Sequence, residues 1–137
     1  MMKKITIIST LLLGLAGIAH ADIAVVVSKS SPVNKLTKDQ VQDIFLSKKT
    51  SYPDGGSAVP LDNKESDVRD KFYDSVLEKT SAQVKSYWSK VIFTGKGTPP
   101  KEFDNSTEIK KIVASNPATI GYIDKSKVDA SVKIVFE

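Results

Sequence analysis

The chain has 137 residues, with 20 basic and 16 acidic side chains, one histidine and no cysteine, a length that fits one domain. Lys3 and Lys4 precede an apolar run, 5–18, and Ala19 and Ala21 place small residues before Asp22. This pattern predicts a secretory leader over 1–21 and one lobe over 22–137, because the apolar run is too short for a membrane span. Cleavage there leaves 116 residues with a net charge of +2 and removes His20, the only histidine. A chain with neither His nor Cys is excluded from Ser-His-Asp and Cys-His nucleophilic chemistry, from disulfides and from thiolate or imidazole metal sites. A charge of +2 is also too small to indicate nucleic acid as a partner.

In chain order, residues 23–27 (IAVVV) form a continuous apolar run, as in strands covered on both faces, the kind common in parallel sheets. A loop containing Pro32 follows. Thr37 with Gln40 three residues on is a capping box, and Leu36 and Val41 occupy the staple positions around it. Val41, Ile44 and Phe45 then repeat at helical spacing, so one face of this helix points to a core. Pro53, Gly55 and Gly56 supply turn dihedrals before a short strand over 58–61.

Val68, Phe72 and Val76, with Leu77, predict a helix from Asn63 or Ser66 to Lys79. Thr80 and Gln83 form a second capping box, with Val84, Tyr87, Trp88 and Val91 as the apolar face behind it. The loop from Gly95 to Pro100 ends that helix. A fourth helix turns Ile109, Ile112 and Val113 inward and stops at Asn116, since the residue before a proline disfavours the α region. Residues 119–123 and 132–136 are the last strands. Strands separated by helices imply a layered α/β domain with parallel pairing, and Phe45, Phe72, Trp88, Ile112 and Ile120 are its expected core.

Few residues single themselves out for chemistry. Asp62, Glu65, Asp67 and Asp70 lie close together, but Lys64 and Arg69 are interleaved among them. A solvated helix start with a Glu65–Arg69 pair at i, i+4 accounts for them more simply than acid–base catalysis. They match no calcium-loop pattern. Arg69 is the one arginine beside nineteen lysines, and a guanidinium suits bidentate recognition of phosphate or carboxylate. An ion pair with Glu65 is the plainer role for it. The Gly95-Lys96-Gly97 sequence follows a helix instead of joining strand to helix, so it reads as a helix end and not as a phosphate loop. No residue pattern calls for a cofactor, and the residues alone reach no further than an exported α/β lobe.

Several stretches, taken in order, resemble the periplasmic phosphate-binding proteins of ABC transporters. The segment NKLTKDQVQDIFLS (34–47) is similar to that family's LT-x-x-Q-x-x-DIF-x-GK. The strand at Val59-Pro60-Leu61 with the residues after it takes the place of the family's strand, phosphate turn and helix. Trp88 with FTGKGTPP (93–100), and NPATIGYI (116–123), resemble its W, GKG and PGAIGYV elements. The resemblance spans about residues 24–124.

It implies a single three-layer lobe of the type II periplasmic-binding class, with a mostly parallel sheet of about four strands and helices on both faces. It further implies a periplasmic binder of phosphate or a small oxyanion, not an enzyme, with Asn63, Lys64, Ser66, Asp67 and Arg69 as the ligand site and a membrane transporter or periplasmic protein as partner. The family closes two lobes over its anion, whereas this chain supplies the length of one. The family's turn reads R-S-D-G-S-G-T-T, whereas here the equivalent DNKESDVRD has no glycine and places Glu65 and Asp67 where an anion would approach. The alternative function is therefore a non-transporting interaction or sensory module that keeps the lobe as a scaffold.

Overall fold

The computed structural model describes residues 22–137, so the leader expected over 1–21 lies outside the described residues. Both predicted capping boxes form. Thr37 opens α1 (Lys38–Phe45), with its hydroxyl accepting from the Gln40 N–H while the Gln40 side chain accepts from the Thr37 N–H. Thr80 and Gln83 do the same for α3 (Ser81–Phe93). Between them, α2 (Ser66–Phe72) passes into a wider π turn, Tyr73–Leu77, that points Tyr73, Val76 and Leu77 inward before Glu78 takes a left-handed conformation. The fourth helix, α4 (Ser106–Ser115), starts on Asn105, and Asn116 is extended, as a residue before proline should be.

Five strands form the sheet: β1 (Ile23–Ser28), β2 (Val59–Asn63), β3 (Lys101–Phe103), β4 (Thr119–Asp124) and β5 (Val132–Phe136), in spatial order β3-β2-β4-β1-β5. The class of fold is the expected one, and the sheet is mixed. β2 runs parallel to β3 and β4, whereas β1 is antiparallel to both β4 and β5. The unbroken apolar run of β1 thus reports a strand covered on both faces and carries no information on direction. β3 is the strand that sequence reading missed, because three residues are too few to show a period.

Alternation along the strands divides the core between the two faces. Val25, Val27, Ile120 and Tyr122 meet Val41, Phe45, Phe72 and Val84 from α1, α2 and α3. On the opposite face Ala24, Val26, Leu61 and Ile123 meet Ile109 and Val113 of α4. Phe45, Phe72 and Ile120 are buried as expected, but Trp88 and Ile112 are only half-buried. Only Val84 of the predicted α3 face is fully covered, because that helix borders an open groove. No described helix is long and apolar enough to cross a membrane.

One close approach fixes how α4 lies on the sheet. A Cβ added at Gly121 would stand 2.5 Å from Ile109 Cγ2, a branch near the helix backbone with little room to yield. Gly121→Ala is therefore expected to cost about 2 kcal/mol of stability, in the usual range for overpacking. Gly56→Ala, which meets nothing nearer than 3.5 Å, should cost much less. Urea unfolding of the two variants beside the parent chain checks this.

Candidate functional site

Asp62 and Asn63 close the carboxyl end of β2, and Glu102 lies in the neighbouring β3, at the edge of an α/β sheet where ligands commonly bind. Asp62 is buried and accepts three hydrogen bonds. Arg69 Nη2 donates to Oδ2 at 2.8 Å and the Tyr73 hydroxyl to the same oxygen at 2.9 Å, while the Tyr122 hydroxyl donates to Oδ1. Arg69 Nη2 also reaches Glu102 Oε1 at 3.1 Å, and its guanidinium lies 5.9 Å from the centre of the Tyr73 ring. Phe72 stacks on the Tyr122 ring at 3.8 Å, which holds that hydroxyl over Asp62.

The charges follow from this geometry. Partial burial opposes the charge on Arg69, but Asp62 first, then Tyr73, Tyr122 and Glu102, outweigh it and hold the guanidinium above its usual pKa. Burial, and then the Asp62 charge and hydrogen bond, push the Tyr73 and Tyr122 hydroxyls well above the usual tyrosine value. Two carboxylates face one guanidinium, so the cluster carries a net negative charge when all three are ionised.

The five residues expected to hold a ligand separate in the structure. Asn63 is fully buried: Nδ2 donates to Ser106 Oγ at 3.1 Å and to the Tyr122 carbonyl at 3.2 Å, and Oδ1 accepts from the Glu65 N–H at 2.9 Å. These bonds use its amide for the fold, tying β2 to β4 and α4. Lys64 is exposed, with Nζ 3.7 Å from Asp104. Ser66 and Asp67 are exposed in the first turn of α2.

Arg69 does not pair with Glu65, contrary to the simple helix-surface reading. It turns to Asp62 and Glu102, while Glu65 reaches across to the Ser106 N–H at the start of α4. The cap position of α2 is held by Glu65, whose side chain makes no capping bond, so the N–H groups of the first turn are left without a side-chain cap.

Sequence reading missed Tyr73, Tyr122 and Glu102 and placed Asp62 among solvated carboxylates. A signal was present for Tyr122. It shares the core-facing side of β4 with Ile120, and a buried tyrosine hydroxyl needs an acceptor nearby.

Beside this cluster is a groove of about 520 Å³. Phe45, Phe72, Asp62 and Arg69 line it, together with residues of α3 and with Pro99, Pro100 and Glu102. The loop leading to Pro99 is held at two points. Gly95, at φ 67°, ends α3 in a Schellman motif, with the Lys96 N–H bonded to the Val91 carbonyl and the Gly95 N–H to that of Ile92. The Ser47 hydroxyl donates to the Thr98 carbonyl at 3.0 Å.

No family model matches the sequence. Solved structures do. The chain is similar to a protein described as a phosphate ABC transporter substrate-binding protein, solved with bound phosphate, from Clostridium perfringens, at 28% identity and a TM-score of 0.65, over 82% of this chain and 43% of that one. It is also similar to an ABC-type phosphate transport receptor from Vibrio cholerae, at 22% identity and a TM-score of 0.65, over 82% of this chain and 44% of that one. PstS from Borrelia burgdorferi matches at 12% identity and a TM-score of 0.60, over 82% and 46%. The chain spans less than half the length of these proteins, and over that span it has the fold of phosphate ABC transporter substrate-binding proteins. The resemblance read from its motifs is the one its structure bears out.

Proposed function

We propose that this lobe, built as part of a substrate-binding protein, is an extracytoplasmic solute binder that holds phosphate or another small oxyanion at the start of α2. On this reading residues 1–21 are a leader, the lobe 22–137 is released into the periplasm, and it serves a membrane transporter. The observation that carries the proposal is the open first turn of α2, where Glu65 makes no capping bond. Backbone N–H groups at a helix start, with the helix dipole behind them, favour an anion. The Ser66 hydroxyl adds a donor and Lys64 adds positive charge. Asn63 shapes the turn through its bond to the Glu65 N–H. Arg69 stands behind it, held by Asp62 and Glu102, and lends no free charge. Asp67 opposes the ligand.

A single lobe leaves one side of the anion in water, where each hydrogen bond contributes little net free energy. Phosphate is therefore expected to bind on the order of millimolar, about −4 kcal/mol, with Ser66→Ala and Lys64→Ala weakening it further. Calorimetry and amide shifts in a phosphate titration test this. Micromolar binding by a monomer would show the open side to be closed by something unaccounted for. An absence of shifts at Ser66–Val68 at tens of millimolar would sink the site.

A second reading, the interaction module, is favoured by one observation. Arg69, the arginine suited to an oxyanion, spends its charge on two carboxylates of the same lobe, while Ile92, which lines the neighbouring groove, and Phe93 next to it stand exposed.

A further inference from the structure

We propose that the carboxyl-terminal end of α3 is a membrane-surface anchor, which rests Phe93 and Ile92 in the interface of an anionic lipid bilayer while the lysines around them meet the headgroups. It rests on the interaction reading and is independent of the oxyanion site at α2. Phe93 is 92% exposed and Ile92 57%, in the last turn of α3. Two basic stretches of sequence meet at this end of the molecule. Residues 79–101 hold five lysines and no acid, and residues 44–53 hold two more lysines and no acid. Gly97 lies against Ser47, whose hydroxyl donates to the Thr98 carbonyl at 3.0 Å, so Lys48 and Lys49 adjoin the loop that carries Lys96. On the helix, Lys90 stands one turn before Phe93, and Lys85 two turns before Ile92. Lys48, Lys49, Lys85, Lys90 and Lys96 are all exposed, and among the described residues none of the five has an acidic partner.

That charge selects the occupant. The groove beside α3 does not offset it, because Asp62 and Glu102 are balanced there by Arg69 and Lys85. The acids nearest in sequence are Asp43, Asp54, Glu78 and Glu102, of which Glu78 pairs with Lys38 and Glu102 with Arg69. The complement of such a patch is an anionic surface, and a lipid one suits its shape. A ring as exposed as Phe93 projects from the protein, and a protein partner would need a pocket fitted to it. A bilayer interface takes an aromatic ring anywhere, with lysine stems along the apolar boundary and ammonium groups among the headgroups. The backbone is prepared for that setting. The Lys90 carbonyl accepts from the Thr94 N–H and hydroxyl, the Val91 carbonyl from the Lys96 N–H, and the Ile92 carbonyl from the Gly95 N–H. These helix-end groups, ordinarily left to water, thus enter an apolar boundary already satisfied. No described helix is long and apolar enough to cross a membrane, and the contact proposed here is peripheral and reversible.

Flotation of the purified chain with lipid vesicles tests the proposal. Vesicles of phosphatidylcholine with about a third phosphatidylglycerol should carry the protein, pure phosphatidylcholine should carry little, and added salt should release it. Phe93→Ser should weaken binding about tenfold, and so should Lys90→Gln with Lys96→Gln. Lys111→Gln with Lys127→Gln removes the same charge from exposed positions on and beside α4, across the sheet, and should change binding less than about twofold. Because all these side chains are exposed, each variant should keep the parent's circular dichroism and melting temperature. The chain has no cysteine, so a polarity-sensitive dye on Thr94→Cys should shift to the blue with anionic vesicles, while the same dye on Lys111→Cys should not. Inorganic phosphate at matched ionic strength should not displace the protein, which separates this surface from the oxyanion site. A parent chain that ignores anionic vesicles would overturn the proposal and assign the patch to an acidic protein. So would a Phe93→Ser variant that binds as the parent does, equal losses from the two lysine pairs, or a dye that responds alike at both positions. Release by phosphate would overturn it too, by placing the headgroup at α2.

Discussion

Asp62→Ala is expected to lower the free energy of unfolding by about 3–4 kcal/mol, the cost of leaving several buried or part-buried donors without a shared acceptor. The carboxylate it removes accepts from Arg69, Tyr73 and Tyr122 together. Its loss leaves a guanidinium with only Glu102 and two buried hydroxyls without their acceptor, and unmet buried donors cost more than the net value of the bonds they once made. A domain of this size has about 5–15 kcal/mol in total, so the variant should unfold many degrees below the parent. Tyr122→Phe keeps the ring stacked on Phe72 but removes one donor to Asp62 and the acceptor of the buried Asn63 N–H, and should cost less, about 1–3 kcal/mol. Thermal and urea unfolding of the two variants measure the difference. Equal losses in both would mean that the network has no hub at Asp62.

A second large effect is expected in alkali. Tyr52, Tyr73 and Tyr122 are buried, and each hydroxyl is pushed well above its usual value: Tyr52 by burial and then by Asp54, the other two by burial and then by Asp62. In the unfolded chain these groups ionise near the usual value of about 10. Above that pH the native state holds more protons than the unfolded state, so stability falls as pH rises, whereas below it these groups leave stability unchanged. Each tyrosine contributes a slope of about 1.4 kcal/mol per pH unit, about 4 kcal/mol per unit for the three, or about 6 kcal/mol lost by pH 11.5. Tyrosinate absorbance at 295 nm should therefore rise in step with the loss of circular dichroism. Replacing Tyr73 and Tyr122 by Phe should flatten the alkaline limb to about a third of its slope. Smooth titration of all four tyrosines in a chain that stays folded would refute the buried arrangement.

What the sequence disclosed depended on how far each signal reached along the chain. Capping boxes are local chemistry, so Thr37 and Thr80 announced their helices to the residue. The apolar run of β1 announced burial on both faces, again because the cause lies within a few residues. Strand direction did not appear, since β1 meets its neighbours across nearly the whole chain. The side-chain partners of the residues expected to bind a ligand were hidden in the same way. Asn63, Lys64, Ser66, Asp67 and Arg69 are neighbours in sequence and looked like one site. Yet Asn63 turns inward to Ser106 and Tyr122, and Arg69 turns to Asp62 and Glu102, partners that no local spacing indicates. Trp88 was expected inside because its helix has an apolar face, and that face proves to border a groove.

The placement of β1 between β4 and β5 also sets an order of events. Ile23 pairs opposite Asp124 and Ser28 opposite Val132, so β1 emerges about a hundred residues before either of its neighbours. Closing loops of about a hundred residues is entropically costly, and chains dominated by such distant pairings fold slowly, on the scale of milliseconds to seconds. Until the last twenty residues arrive, β1 is an apolar ribbon with both edges bare, which is a template for aggregation. The half-finished chain is therefore the vulnerable species, and the final strand protects the first.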